Sequence, residues 1–445
     1  MRALAALRRT LTFRHGVHPD EHKEATCRLP IQRMPFVDEY VLPLSQHIGR
    51  PAKPVVRPGQ RVQRGELIAE PDGFVSSAVH SPVTGTVAAI EMRPHPTGRK
   101  MEAIVVRADP FASQRFVRRS DRPREDMEPD EIVAAIQRAG IVGLGGAAFP
   151  SHVKLKVPPG KRVRFAILNG CECEPYLTAD HRTMAERPRA VLRGLELIMK
   201  VTGAERGYIG VEVNKPDAIA RLREEIPDGM PITVVPLAVK YPQGAEKALI
   251  DAIFHKEVPT GKLPLDLEIV VQNVGTAAAI ADLFATGQPL IERVVTVSGP
   301  GVRRPANLLV PIGTPVRAVL EHCGGLLPST RQVVLGGPMM GHAQKDLDVP
   351  VVKGTSGVIA LDRLAPVTDE QPCIRCGRCL EACPMFLNPS LLATLARAER
   401  VADLKEHHIL DCYECASCSF VCPSHIPLVQ LMRVGKALVR ERGSN

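Results

Sequence analysis

The 445-residue chain contains no tryptophan, and only 4% of its residues are aromatic. Its core must therefore be packed from Val, Ile, Leu and Ala, and nucleic-acid binding by base stacking on exposed rings is excluded as a main mode. No apolar run approaches the roughly 18 residues that would cross a bilayer. The N-terminus lacks the apolar stretch and small-residue cleavage site of a secretory signal. With 35 Gly and 40 Pro the chain is rich in loops, yet far from a collagen-like or low-complexity composition. What is present is an ordinary globular mixture, 44% hydrophobic and 24% charged, in a length that suits two to four domains.

The formal net charge is +9. Lys and Arg are scattered rather than striped along one element, so no nucleic-acid partner is expected. An anionic cofactor and an anionic membrane surface account for the balance equally well. Residues Met1 to Arg14 carry Arg2, Arg8, Arg9 and Arg14 without one acid. They read either as a basic amphipathic arm for a membrane surface or as a solvated terminus.

Eight of the twelve cysteines fall in two runs near the C-terminus. Cys373, Cys376, Cys379 and Cys383 have the spacing C-x2-C-x2-C-x3-C with Pro384 next. Cys412, Cys415, Cys418 and Cys422 repeat it with Pro423 next. This is the spacing of two-cluster bacterial ferredoxins, in which the fourth thiolate of each run reaches the other cluster. One [4Fe-4S] cluster is thus expected on Cys373, Cys376, Cys379 and Cys422, the other on Cys412, Cys415, Cys418 and Cys383. Zinc needs only two C-x2-C pairs and leaves the remaining cysteines unexplained; disulfides imply export. Between the runs, 388–410 reads as helix from the spacing of Leu391, Leu392, Leu395 and Ala398, and a closing helix spans about 427–440. Cys27 and Cys323 are single. Cys171 and Cys173 form C-x-C beside Glu172 and Glu174 with few further ligands nearby.

The rest of the chain is α/β in several units. Residues 30–110 alternate short apolar stretches with Pro and Gly, as a small β-sandwich or barrel does. The pattern resembles lipoyl- and biotin-carrier domains, but no Lys lies between Pro54 and Arg99 to carry an acyl group. Residues 108–128 read as a polar linker. Strand–turn–helix units follow from Pro129. An opening helix stops at Gly140, and Gly143-Leu144-Gly145-Gly146-Ala147-Ala148-Phe149-Pro150 comes next. This formally matches a dinucleotide fingerprint, but it follows a helix where the fingerprint follows a strand. It is either a loop for close approach to a phosphate or an aromatic ring system, or an ordinary joint. Asn169, Glu172, Glu246 and Asn273 gather at predicted strand ends, where open α/β sheets bind ligands. Residues 292–330 read as strand, turn, strand and helix, a β-grasp-like module. The pair Met339 and Met340 suits a core or an interface.

In order, these motifs resemble the RnfC component of the bacterial Rnf complex, the ion-translocating ferredoxin:NAD+ oxidoreductase, over nearly the whole chain. The stretches GVHPDEHKEAT, LPLSQHIGRPAKPVVRPGQRV, NKPDAI, YPQGAEK, VQNVGT and GGPMMG carry the likeness. The α/β part is also similar to the NADH- and FMN-binding subunit of respiratory complex I. That resemblance implies a multidomain α/β chain: a β barrel-sandwich domain (1–110), a complex I flavin-subunit-like α/β domain (129–290), a β-grasp-like SLBB-type module (291–365) and an α-helical two-cluster ferredoxin-like domain (366–445). It implies FMN and NAD(H) besides two [4Fe-4S] clusters. Cofactor contacts map to Gly143, Gly145, Gly146, Lys154, Asn169, Glu172, Gly244, Glu246, Gln272 and Asn273. Lys154 is implied to neutralise the FMN phosphate, while Asn169, Glu246 and Asn273 orient flavin or nucleotide. Departures from the complex I pattern are Ala148 for a glycine, Cys171 for an aspartate and Ala245 for a glutamate.

The implied role is peripheral electron input on the cytoplasmic side of a bacterial inner membrane. Other subunits, including a ferredoxin-like iron–sulfur subunit, would pump ions and exchange electrons, with ferredoxin as an indirect partner. No protein nucleophile or general acid is required. Two rivals remain. One is a cobalamin reductase of the propanediol-utilisation type. The other is an electron-wiring module whose nucleotide site is vestigial, as Ala148, Cys171 and Ala245 suggest.

Overall fold

The computed structural model describes residues 10–116, 127–363 and 369–442. The basic arm expected at the N-terminus lies, except for its last residues, outside the described residues, as does the middle of the linker.

The central unit is a four-stranded parallel sheet. Its strand order is Ile232–Leu237, Arg206–Glu212, Phe165–Gly170, Ile269–Asn273. Alternation along Phe165–Gly170 sends Ala166 and Leu168 to one face and Ile167 to the other, and the two faces feed separate apolar clusters. Helices Pro188–Thr202 and Val274–Thr286 cover the first face with Leu195, Ile198, Ala277 and Ile280. Helix Glu246–Phe254 covers the other with Leu249 and Ile250. The first two helices cross closely at Gly194, where a Cβ would come within 2.0 Å of Ala277 O. Helix Pro129–Arg138 opens with Pro and two acids in its first turn and closes before Gly140, whose φ is +70°, as its sequence requires.

Before this unit lies the β domain. One of its sheets has the order Glu39–Pro43, Lys100–Ala108, Gly85–Pro94, Arg61–Val62; the other pairs Lys53–Pro54, Leu67–Glu70 and Val79–His80. Its core residues Tyr40, Leu42, Val62, Ile68 and Val106 belong to the same apolar cluster as Ile132, Ile136 and Leu195. The β domain is therefore fused to the α/β unit rather than tethered beside it.

The third module is a six-stranded mixed sheet, and here the structure departs from the expected division of the chain. Its edge strand is Ile31–Arg33, parallel to Ala306–Pro311 with Ile31 opposite Asn307. A segment expected in the β domain thus completes the sheet of a module some 270 positions later. Residues before it run across the α/β unit. Leu11 bridges to Leu237 and Val17 to Tyr241, and the buried Lys23 donates to the carbonyls of Glu172, Glu174 and Leu177. Short local pairings of this kind leave no periodic signal.

In the C-terminal unit the single helix expected over 388–410 is broken. Helix Pro389–Arg397 and helix Val401–Glu406 are separated by Glu399, with φ +51°, and a short 3-10 turn, Ile409–Asp411, follows. The break lets Leu392, Leu395, Leu404 and Ile409 meet helix Leu428–Arg442 from different sides.

Lys353 joins three units. Its Nζ, from the third module, lies 2.6 Å from Ala78 O in the β domain and 2.7 Å from Gly140 O beside the glycine loop. Among the described residues no carboxylate pairs with it, and burial pushes its pKa down to about 7; a neutral amine has two N–H donors for two carbonyls. Between pH 7 and its unfolded value of 10.5, the folded chain binds fewer protons than the unfolded one, so this group's contribution to stability rises with pH. Lys353→Met should cost about 3 kcal/mol, from two buried carbonyls left without donors. In urea titrations the gap between wild type and variant should widen from pH 7 to about pH 9.

Candidate flavin crevice and cluster sites

Strand order turns back at Phe165–Gly170. The chain moves outward through Arg206–Glu212 and Ile232–Leu237, then returns to place Ile269–Asn273 on the other side. Loops leaving Asn169 and Asn273, which are register partners, therefore diverge and leave a crevice at the carboxyl ends of the strands. The glycine loop lies there. It is closed by the Val142–Pro150 bridge and by Gly143 N donating to Phe149 O at 2.8 Å. Leu144 N donates to Thr276 Oγ1 at the start of helix Val274–Thr286. Leu144 O accepts from Arg293 Nη2 at 3.2 Å.

Gly145, Gly146 and Ala147 are exposed. Gly146 has φ +114°, and a Cβ there would meet nothing within 4 Å; a Cβ on Gly145 would lie 3.4 Å from Asn273 Nδ2. The loop thus presents bare backbone to an open crevice, a cradle that side chains would fill and that fits a planar phosphorylated ring system. Ala148, where the complex I pattern has glycine, keeps the left-handed backbone with φ +51°. An alanine holds this conformation at a steric cost.

The expected contact residues divide by what they touch. Lys154, in helix Ser151–Leu155, has Nζ 2.5 Å from Glu246 Oε1 and 3.3 Å from Val271 O. Both side chains are about one-third exposed, so the pair can open to a ligand. Asn169 donates to Gly244 O at 2.8 Å and accepts from Cys171 N. Gly244 allows that approach: a Cβ on it would lie 2.4 Å from Cys171 O. Asn273 caps helix Val274–Thr286 by accepting from Gly275 N and Thr276 N, while its Nδ2 donates to Asp180 Oδ2 at 2.6 Å. Gln272 is buried, with Nε2 3.5 Å from Ser151 O.

Glu172 is placed differently from the rest. Its two carboxylate oxygens accept from the backbone N–H groups of Asp180 and His181. It therefore serves the first turn of helix Ala179–Glu186. Glu174 accepts from Met339 N and Met340 N, and burial pushes its pKa up to about 7. The backbone of the methionine pair thus holds a carboxylate, and Met339 also packs beside Tyr241 and Cys415. Burial raises the thiol pKa of Cys171 well above its usual range.

Arg293 and Asp180 have no signal in the sequence. Arg293 is buried and donates to the carbonyls of Val294, Lys353 and Leu144. It supports the glycine loop from the third module. In the sequence it is one arginine in a strand.

The cysteine runs are brought together crosswise. Cys383 lines one pocket with Cys412, Cys415 and Cys418. Gln371 N donates to Ser424 O and Ser424 Oγ to Pro372 O, which lays the start of the first run beside the end of the second. The donor chemistry of both sets suits iron–sulfur clusters. The sets differ in setting. Tyr241 Oη donates to Cys415 O at 2.8 Å, and Tyr241, Ala382 and Cys415 share a buried cluster. Asp411 accepts from Thr260 Oγ1 and lies near Lys247. Cys415 and Cys383 are buried, while Cys373 and Cys376 are exposed.

Comparison with known proteins defines the class first. The Nuo51 FMN-binding domain family matches residues 136–282 and the 4Fe-4S dicluster domain family residues 370–426. The RnfC barrel sandwich hybrid domain matches residues 11–110 and the SLBB domain residues 294–343. This is a flavin and iron–sulfur electron-transfer protein. Among its relatives, the C component of the proton-translocating ferredoxin:NAD(+) oxidoreductase complex of Clostridium ljungdahlii is 46% identical over 90% of this chain and 87% of its own. The same component of the Na(+)-translocating complex of Acetobacterium woodii is 44% identical over 96% of both chains. That of the ion-translocating oxidoreductase complex of Pseudomonas aeruginosa is 41% identical over 97% of this chain and 56% of its own. The chain belongs to the RnfC family, a component of ion-translocating ferredoxin:NAD+ oxidoreductase complexes.

Ala148→Gly should stabilise the chain by about 1 kcal/mol in thermal unfolding, because it relieves the left-handed strain. Cys383→Ser should abolish the same paramagnetic signal that Cys412→Ser abolishes and spare the other. Loss of different signals would mean that each run keeps its own cluster.

Proposed function

We propose that the crevice between the glycine loop and the strand ends at Asn169 and Asn273 holds FMN and admits NAD(H). The chain, on this reading, is the peripheral electron-input subunit of a membrane-bound ion-translocating complex. When bound, FMN exchanges a hydride with nicotinamide and single electrons with [4Fe-4S] clusters. The observation that carries the reading is the bare stretch Gly145–Gly146 at the point where strand order reverses, with a cysteine set packed against the same domain through Tyr241.

In this reading Lys154 leaves Glu246 for the FMN phosphate, and Glu246 is freed to hydrogen-bond the nucleotide. Asn169 and the backbone at Gly244 border the ring system. Asn273 and Gln272 hold the loop and the helix N-terminus in place rather than gripping the ligand, and Glu172 acts through helix Ala179–Glu186. The set Cys383, Cys412, Cys415 and Cys418 is nearest the crevice. The exposed set Cys373, Cys376, Cys379 and Cys422 faces the exit, where a ferredoxin-like subunit would dock. Among the described residues no helix is long and apolar enough to cross a membrane. We place the chain on the cytoplasmic face of a bacterial inner membrane, held by its partners and its positive charge, with ferredoxin served indirectly.

Anaerobically prepared protein supplied with FMN should bleach at both flavin and cluster wavelengths on addition of NADH. Lys154→Glu should weaken FMN binding by about 100-fold, since a charge pair becomes a repulsion, while cluster content is unchanged. Intact clusters that ignore NADH in the FMN-loaded wild type would refute the reading and leave a wiring module.

A further inference from the structure

Four carboxylates stand around the crevice, and three are engaged. Glu246 pairs with Lys154. Both oxygens of Glu172 and both of Glu174 accept backbone N–H groups. Asp180 differs. Its Oδ2 accepts from Asn273 Nδ2 at 2.6 Å. Its Oδ1 takes no hydrogen bond among the described residues, and the residue is only partly buried. It lies 3.4 Å from where a Cβ would stand on Gly275. The same Asn273 amide touches the Cβ position of Gly145 in the glycine loop. Asp180 thus stands one side chain away from the exposed backbone of the cradle, with one oxygen free.

We propose that Asp180 is the proton acceptor of the flavin crevice, taking on Oδ1 the proton left behind when the two electrons of a hydride depart singly. This rests on the reading of the crevice given above. The balance is simple. A hydride from reduced nicotinamide brings two electrons and one proton. Each of two clusters accepts one electron and no proton, so one proton per nicotinamide must leave by another route. It binds the free oxygen of Asp180, converts carboxylate to carboxylic acid, and passes to water on the open side. In the opposite direction the acid returns it.

The surroundings suit a group that changes charge near neutrality. Burial and the Glu172 carboxylate push the Asp180 pKa up to about 7. The Asn273 hydrogen bond, Arg293 on the third module and Lys215 after strand Arg206–Glu212 pull the other way. His181, its neighbour on the same helix, faces Asp217 at 2.7 Å. A carboxylate poised at the working pH is an effective proton acceptor.

The test uses the full chain with FMN and clusters loaded. Proton release after NADH addition is followed with an indicator dye, and the flavin midpoint potential is measured from pH 5.5 to about 8.5, spanning the Asp180 transition. Asp180→Asn should slow proton release by about 100-fold and remove the change of slope in potential near neutral pH, with flavin content retained. Asp180→Glu should restore both. An Asn variant with wild-type proton release and the same change of slope overturns the inference. Should that variant not fold, an infrared pH titration of the wild-type chain before flavin is added decides. Glu174 contributes a second carboxyl in the same range, so the deciding signal is a near-neutral carboxyl band that shifts in Asp180→Glu; its presence supports the role and its absence overturns it. If the wild type itself holds no FMN, the reading of the crevice falls and this inference with it. If it binds and bleaches normally while the variants match it, only the role of Asp180 falls.

Discussion

Everything in the crevice follows from the point at which strand order reverses. A strand flanked on both sides by later strands must send its own loop one way while the neighbour's loop goes the other. Asn169 and Asn273 are opposite each other there, and the space between their loops cannot be filled by local chain. The glycine loop enters from outside the sheet and covers that space with backbone alone. A loop with side chains would close it.

Backbone exposed on one side of such a loop must still be held from the other, and buried basic side chains do this. Arg293 holds Leu144 O, Lys353 holds Gly140 O, and Lys23 holds the carbonyls of the loop after Asn169. Lys23 comes from the segment before the β domain and the other two from the third module, and all three donate to carbonyls rather than to a carboxylate. Loops at a strand end have more acceptors than donors once their N–H groups turn to a ligand or a cap, and long basic side chains supply the difference. The consequence is mechanical. The β domain, the strap before it and the third module are fastened to the crevice itself, so the site is a property of the assembled chain.

The C-terminal unit is fastened to the same place. Tyr241 belongs to the loop that carries Gly244 and Glu246, and its hydroxyl holds the backbone of Cys415. The C-terminal unit is therefore held beside the crevice by a packed aromatic and a hydrogen bond rather than by a flexible linker. Cys383 and Cys415 are buried, Cys415 beside Tyr241, while Cys373 and Cys376 are exposed. That order suits transfer from an enclosed site to a partner.

The cysteine spacing, the strand–turn–helix periodicity and the Gly143–Pro150 stretch are legible in the chain as written. Each depends on neighbours within a few residues, where spacing and backbone freedom act directly. The four-part architecture and the FMN assignment come from resemblance, and the family comparisons agree with them. The break at Glu399 is invisible in the sequence because apolar spacing continues through it, and only packing against helix Leu428–Arg442 requires the kink. Glu172 resembles a ligand because it stands in the motif, but its oxygens are taken by a helix that begins a few residues later. Ile31–Arg33, Arg293, Lys353 and Asp180 carry no local signature at all. An edge strand finds its partner about 270 positions away, and a buried basic side chain finds its carbonyls in another domain. Such pairings are decided by which unsatisfied groups the packed units bring face to face, and that is settled only when the chain has folded.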